Sequence, residues 1–325
     1  MNLRKGESSG SPPSNGGSAF SAHLCLIPIL SLLSFLLPPL LKAQDQTNPS
    51  KNDFKLLVDV NLVGVLVTVT TPEGTTVSTL KQQDFQVYED GNPQEVALFG
   101  KESDQPLWLC LLFDSSISIV SELRTEQDAA IEFLQSILRP ADRASIFQVS
   151  EDVNELVKFT SRLEKICSAI RSIKPRGGTS LYDAVFLAAE SLSSARGRKV
   201  ILVISDGTDT TSQVQLRDCL KLAQNSEAVV YALVVQPIKS EPGRNLAGEH
   251  AMIFLTERTG GKFFKVSSPE SLHSSFTNIS DELRTQYYLG YYPRPRGEKG
   301  KFRKIEIRVG NPTYKIRARE GYYAK

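Results

Sequence analysis

Two aspartates and three hydroxyl residues stand at spacings that could hold a hard divalent cation. Asp114-Ser115-Ser116-Ile117-Ser118 reads D-x-S-x-S and directly follows the apolar run Leu107 to Phe113. Thr179 follows Gly177-Gly178, and Asp206 sits near the end of the apolar VISDG stretch. Magnesium wants octahedral oxygen ligands, keeps several waters and takes only one or two carboxylates from a protein. Hydroxyls of Ser116, Ser118 and Thr179 would add oxygen without adding charge. A cation held by these and by Asp114 and Asp206 keeps residual positive character and one open position, which a carboxylate from a partner could fill. No His or Cys lies among the five, which argues against zinc or copper and leaves magnesium, manganese or calcium.

A D-x-S-x-S string alone would arise by chance in roughly one chain in ten at average composition. The bland alternative is that Asp114 and Ser118 cap the helix that follows. That explains two residues but not the ordered set of three loops. Two neighbours could support the cation from outside its direct ligands. Asp209 lies three residues after Asp206, with a solvated loop carboxylate as the alternative. Gly178, in Arg176-Gly177-Gly178, could let the backbone approach closely, with a plain turn as the alternative. Asp183 faces the helix surface or supports the loop.

The elements that must position these residues alternate after Pro106. Continuous apolar runs at Leu107–Phe113, Val200–Ser205 and Val229–Val235 read as strands buried on both faces. Arg143–Val149, Glu155–Phe159 (an edge) and Lys262–Lys265 read as further strands. Helices are expected over Ser121–Leu138, from Thr160 as cap to Ile173, and over Ser180–Ser194, Gln213–Asn225, Gly248–Thr259 and Pro269–Arg284. Strands alternating with helices give a doubly wound, mostly parallel α/β sheet, and ligands bind such sheets at the carboxyl ends of the strands. Asp114 and Asp206 both fall at such ends.

The flanks read as β alone. Leu56–Thr70 alternates Val, Leu and Thr; Asp84–Tyr88 and Gln94–Phe99 flank an Asp90-Gly91 hairpin turn. Gln286–Tyr292, Phe302–Val309 and Tyr314–Arg319 follow the α/β part. Neither flank has enough strands to bury a core alone, so the two are expected to pair into one β-sandwich with the α/β unit inserted in it. The expected organisation is a leader over 1–43, a linker over 44–53, an N-terminal β segment over 54–103, the α/β domain over 104–285 and a C-terminal β segment over 286–325.

The order DSSIS, GGTSLYDA, ISDGTD resembles a von Willebrand factor A domain, and the metal motif is complete. The resemblance assigns coordination in a metal-ion-dependent adhesion site (MIDAS) to Asp114, Ser116, Ser118, Thr179 and Asp206. DFQVYEDGNPQEVALF, YYLGYYP and IRAREGYYAK resemble an exported family of von Willebrand factor A-related proteins frequent in acidobacteria. That likeness spans about residues 54–325, and the family carries no settled function.

Bulk composition narrows the class. The 325 residues carry 38 basic and 36 acidic side chains. Residues 1–43 hold Arg4, Lys5, Lys42 and Glu7, so without them the chain is neutral, and nothing points to nucleic acid. The leader has a basic start, an apolar stretch from Leu24 to Leu41 and a small Ala43, as an export signal does. Pro28, Pro38 and Pro39 leave its core short of the ~20 residues of a span, which favours cleavage before Gln44 over an uncleaved membrane anchor. The body is expected in the periplasm or secreted, with membrane contact only if the leader stays. Cys110 reads as a small buried hydrophobe, and a Cys167–Cys219 bridge stays open. The Tyr-rich tail reads as alternating strand burial, and Lys299, Lys301, Arg303 and Lys304 as a solvated hairpin.

Beyond the leader the chain lacks a G-x-S-x-G elbow, and it has no P-loop. His250 and His273 fall on helices away from the metal edge. A non-enzymatic module that binds a protein partner through an acidic side chain is the leading expectation. A structural or assembly protein of the cell envelope is the alternative, and a metal-dependent phosphoesterase the weakest, since no general base or phosphate clamp is visible.

Overall fold

The structure is a computed structural model that describes residues 62–101, 105–116, 123–235 and 246–324. All of them lie in the compact unit Leu57–Lys325. The leader, the linker and the first residues of the N-terminal β segment fall outside the described residues, as does Ser118.

The α/β part is a six-stranded sheet built from β5 (Leu107–Asp114), β6 (Arg143–Val149), β7 (Val153–Thr160), β8 (Arg198–Ser205), β9 (Ala228–Val235) and β10 (Phe263–Val266). Their order is β10-β9-β8-β5-β6-β7, parallel except for β7, which pairs antiparallel to β6 at the edge. The pleat sorts side chains to two cores, because successive residues point to opposite faces. Leu109, Leu111 and Phe113 meet α1 (Leu123–Ile137), α2 (Leu163–Ser172) and α6 (Pro269–Thr285) on one face. Cys110 and Leu112 meet α3 (Leu181–Leu192), α4 (Leu216–Ser226) and α5 (Leu246–Thr259) on the other. Both faces are covered, so β5, β8 and β9 carry almost no polar residue between their ends.

The flanks form two further sheets, and each mixes strands from both ends of the chain. N-terminal β1 (Val63–Thr70) and β4 (Val96–Lys101) join C-terminal β11 (Tyr287–Tyr291) and β13 (Lys315–Ala318) in the order β13-β1-β11-β4. β2 (Phe85–Glu89) and β3 (Asn92–Gln94) join β12 (Phe302–Val309) and β14 (Gly321–Tyr323) in the order β14-β12-β2-β3. Between them sit Val63, Val65, Val67, Val69, Phe85, Val87, Tyr287, Leu289, Tyr291 and Ile305. The Tyr repeat follows the pleat: Tyr287 and Tyr291 are buried, while Tyr292 is exposed. The inserted α/β unit and the split sandwich are both present.

Several local expectations are corrected. Gln94–Phe99 is not one return strand. β3 pairs with β2 in one sheet, and after Glu95 the chain crosses to pair with β11 in the other. The sequence carries no turn signal there because a crossing between packed sheets needs only one extended residue. Thr160 does not cap α2; it ends β7, and Arg162 holds the cap position without a side-chain cap bond. Tyr314–Arg319 shortens to β13, and β14 was not expected. The Asp90-Gly91 turn holds, with φ of 48° and 81° and Glu89 opposite Asn92. Cys167 packs on the α1 side of the sheet and Cys219 on the α3 side; both are free thiols, so no bridge links them.

Candidate metal centre

Asp114 ends β5 and is fully buried. Its Oδ1 accepts from the Ser116 amide at 2.8 Å and its Oδ2 from the Ser205 hydroxyl at 2.6 Å. Burial pushes its carboxyl up to about 6; the Ser205 and Ser116 hydrogen bonds oppose the rise and the nearby Asp206 carboxylate adds to it. Two carboxylates that repel each other at a buried strand end are an arrangement that a bound cation relieves. The loop after β5 is held from below. The Ser115 amide and hydroxyl both donate to Val149 O at 2.9 Å, and Gln148 Nε2 donates to the same hydroxyl at 3.0 Å.

Thr179 and Asp206 arrive on two loops bonded to each other. The Thr179 amide donates to Thr210 Oγ1 at 2.9 Å, and Thr179 O accepts from the Thr210 amide at 2.8 Å. Asp209 Oδ1 accepts the Leu181 and Tyr182 amides at 2.8 and 3.2 Å, so it caps α3. Ser212 Oγ takes the Asp183 amide at 3.1 Å and donates to Asp209. In return the Asp183 carboxylate accepts the Gln213 and Val214 amides. Asp183 therefore supports the loop and is not a mere surface charge. Asp206 itself accepts the Thr208 amide at 2.8 Å.

Gly178 has φ of +63°, and a Cβ there would lie 2.3 Å from Glu151 Cγ. Close approach is thus to Glu151, whose own amide donates to Gly177 O at 3.1 Å. The Arg176 amide donates to Ser115 O at 2.7 Å, which joins the Gly-Gly loop to the D-x-S-x-S loop. Of the five expected ligands, Asp114, Ser116, Thr179 and Asp206 are described and stand on three loops at the carboxyl edge of the sheet; Ser118 lies outside the described residues. Thr179 is 2% exposed, and among the described residues its hydroxyl makes no hydrogen bond. Among the described residues no three His, Cys, Asp or Glu gather as a metal group, so any cation at this edge would depend on hydroxyls and on only two carboxylates.

Sequence reasoning missed Ser205 and Glu151. Ser205 was legible only as the one hydroxyl in an apolar strand, beside Asp206. Glu151 carried no signal, because its relation to Gly178 is made across a loop of another strand.

An open, doubly wound α/β sheet with an oxygen-rich carboxyl edge defines the class. Within it, the chain carries a von Willebrand factor type A domain: the model of that family matches residues 109–208. No curated protein matches the chain. Among solved structures, a von Willebrand factor type A protein from Catenulispora acidiphila is similar at 9% identity and a TM-score of 0.50, covering 74% of each chain. That likeness shows the fold. The pilus adhesin SpaC from Lactobacillus rhamnosus GG is similar at 10% identity and a TM-score of 0.48, covering 73% of this chain and 47% of that one. BatB, a conserved hypothetical protein from Bacteroides thetaiotaomicron, is similar at 19% identity and a TM-score of 0.44, covering 54% of this chain and 98% of that one.

Proposed function

We propose that this chain is an exported, non-catalytic binding module. Asp114, Ser116, Ser118, Thr179 and Asp206 would hold a divalent cation, magnesium foremost, and a protein partner would engage it through an acidic side chain. The observation that carries the reading is that a buried Asp114 carboxylate and the nearby Asp206 stand at the same sheet edge as a Thr179 hydroxyl that makes no hydrogen bond among the described residues. A bound cation supplies Lewis acidity toward the partner's carboxylate and chemistry of no other kind. The chain's own residues orient that encounter. Ser205 fixes the Asp114 carboxylate. Arg176 is exposed and tied through its amide to Ser115 of the same edge, so in this reading its charge would favour an acidic partner. Export rests on the leader, whose residues lie outside those described, and no helix among the described residues is long and apolar enough to cross a membrane.

Melting of wild type and Asp114→Ala, each with magnesium and with chelator, tests the cation. Wild type is expected to gain several degrees with magnesium and the variant none; identical responses would overturn the reading. Pull-down from an envelope extract, with chelator and with Arg176→Glu, tests the partner. Capture that ignores both points instead to a structural protein of the envelope.

A further inference from the structure

The turn between β11 and β12 and the outer face of β12 gather lysines around two aromatic rings. Of the basic run Lys299, Lys301, Arg303 and Lys304, Arg303 turns inward, where it pairs with the buried Glu89 and with Asp90. The three lysines are exposed. Phe302 and Lys304 stand two residues apart on β12, so the pleat sends both to the same face. Tyr323 lies opposite Phe302 on β14, with ring centroids 5.2 Å apart, and Lys221 of α4 holds its ammonium 5.1 Å from the centre of the Tyr323 ring. The turn is fixed beside them: the Gly300 amide donates to Ala324 O at 2.7 Å, and the Ala324 amide donates to Lys301 O at 2.9 Å.

Phe302 is apolar and yet 38% exposed. Its ring rests against β14: a Cβ on Gly321 would come within 2.5 Å of the ring tip, so the glycine leaves the bed on which the ring lies. A ring held down in this way is a platform, and it does not stand out from the surface as a ring that enters a bilayer does. The acidic side chains around it are engaged. Glu298 pairs with Lys301, Glu306 with Arg308 and Asp90 with Arg303. Lys221, Lys299 and Lys304 make no ion pair among the described residues, and neither does Asp218, one turn before Lys221 on α4. Even with Asp218 counted, the platform keeps surplus positive charge. Its complement is a ligand that joins negative groups to a flat apolar surface. A pyranose ring has such a surface on its C–H side, and a uronate adds one carboxylate per ring.

We propose that this face binds an anionic polysaccharide of the uronate type, with a sugar ring on Phe302 and carboxylates at Lys221, Lys299 and Lys304. The face is independent of the candidate metal centre, and chelator keeps the two apart, since a uronate carboxylate could also reach a cation. Binding of a galacturonate oligosaccharide to the full chain is measured by calorimetry at low salt with chelator present. A neutral malto-oligosaccharide, a thymidine oligonucleotide and phosphatidylglycerol vesicles are titrated beside it. Wild type is expected to bind the galacturonate and not the neutral sugar. Lys304→Gln and Lys221→Gln should each weaken binding about fivefold, the loss of one close charge pair in water, and should flatten its salt dependence. Phe302→Ala should weaken binding about fivefold as well, with the salt dependence unchanged. Melting checks that each variant is folded, and the two lysine variants stand if Phe302→Ala does not fold. No galacturonate binding by wild type, binding that ignores the substitutions in folded variants, or equal or tighter binding of the oligonucleotide or the vesicles would overturn the proposal.

Discussion

Asp114 is the residue on which the candidate centre turns, and its environment gives it a pH signature. Burial and the Asp206 carboxylate lift its carboxyl to about 6 from the ordinary 3.8. With no cation, the folded state therefore binds more protons than the unfolded one between about pH 4 and pH 6. Its contribution to stability falls as pH rises through that window. A cation reverses the sign, because it requires the ionised carboxylate and stabilises the fold where Asp114 is charged. The magnesium-induced gain in Tm should be full at about pH 7.5 and small at about pH 5. Paired melts with magnesium and with chelator at the two pH values check this; equal gains at both would mean that Asp114 does not bear the cation. Ser205→Ala removes the hydroxyl that donates to Asp114 at 2.6 Å. It should cost about 1 kcal/mol of stability and weaken the magnesium midpoint, read from the same melts.

Among the elements, α3 and the two loops around its start decide how firmly the centre is built. The Thr179 and Asp206 loops share a ring of amide bonds to Thr210, Asp209, Ser212 and Asp183, so they move as one piece. Gly178 is the tight point, where a left-handed φ and the Glu151 side chain exclude a Cβ. Gly178→Ala should cost about 2–3 kcal/mol, roughly half from the backbone conformation and half from the clash. Glu151→Ala in the same chain should return the clash part and leave about 1 kcal/mol. Chemical denaturation of the two singles and the double separates the contributions, and strict additivity would show that the contact is not the cause. The same elements show what the sequence could disclose. β5, β8 and β9 were legible because burial on both faces demands uninterrupted apolar runs, and the Asp114 and Asp206 ends followed from that. The break at Glu95 was not legible, because it is dictated by β11, nearly two hundred residues later in the chain. Thr160 misled for a related reason. A Thr before an amphipathic stretch looks like a cap, but pairing with Ala144 keeps it in β7. The Asp209 cap on α3 lay just as deep, since its partners are amides whose orientation only the fold fixes.

At the scale of the molecule, one chain leaves a sandwich, builds a sheet and returns. Glu89 from the first flank is fully buried and accepts Tyr291 and Tyr322 hydroxyls and Arg303 from the second, so each flank completes the other. A second polar joint ties sandwich to insert. Gln286 Nε2 donates to Thr68 Oγ1 and to Tyr231 Oη, both at 3.1 Å, and Arg317 pairs with the buried Glu282 at 2.6 Å. Truncating one partner of such a buried pair costs about 3–5 kcal/mol, which makes the joint expensive to open. The candidate metal centre lies further along the strands: Tyr231 pairs with Leu202, three residues before Ser205 at the end of β8, roughly 10 Å at 3.3 Å per residue. If sandwich and insert unfold together, a ligand at that edge must stabilise β1 as well. At a magnesium concentration about 100 times its Kd the linkage amounts to about 2.7 kcal/mol. The Val65 and Val67 amides, in the centre of the sandwich, should then exchange with solvent about 100-fold more slowly once magnesium is added. Arg317→Ala should reduce that protection while the protection of β5 amides persists. Exchange at Val65 and Val67 unchanged by magnesium, with β5 slowed, would mean that the insert melts alone and that the buried joint does not couple the two cores.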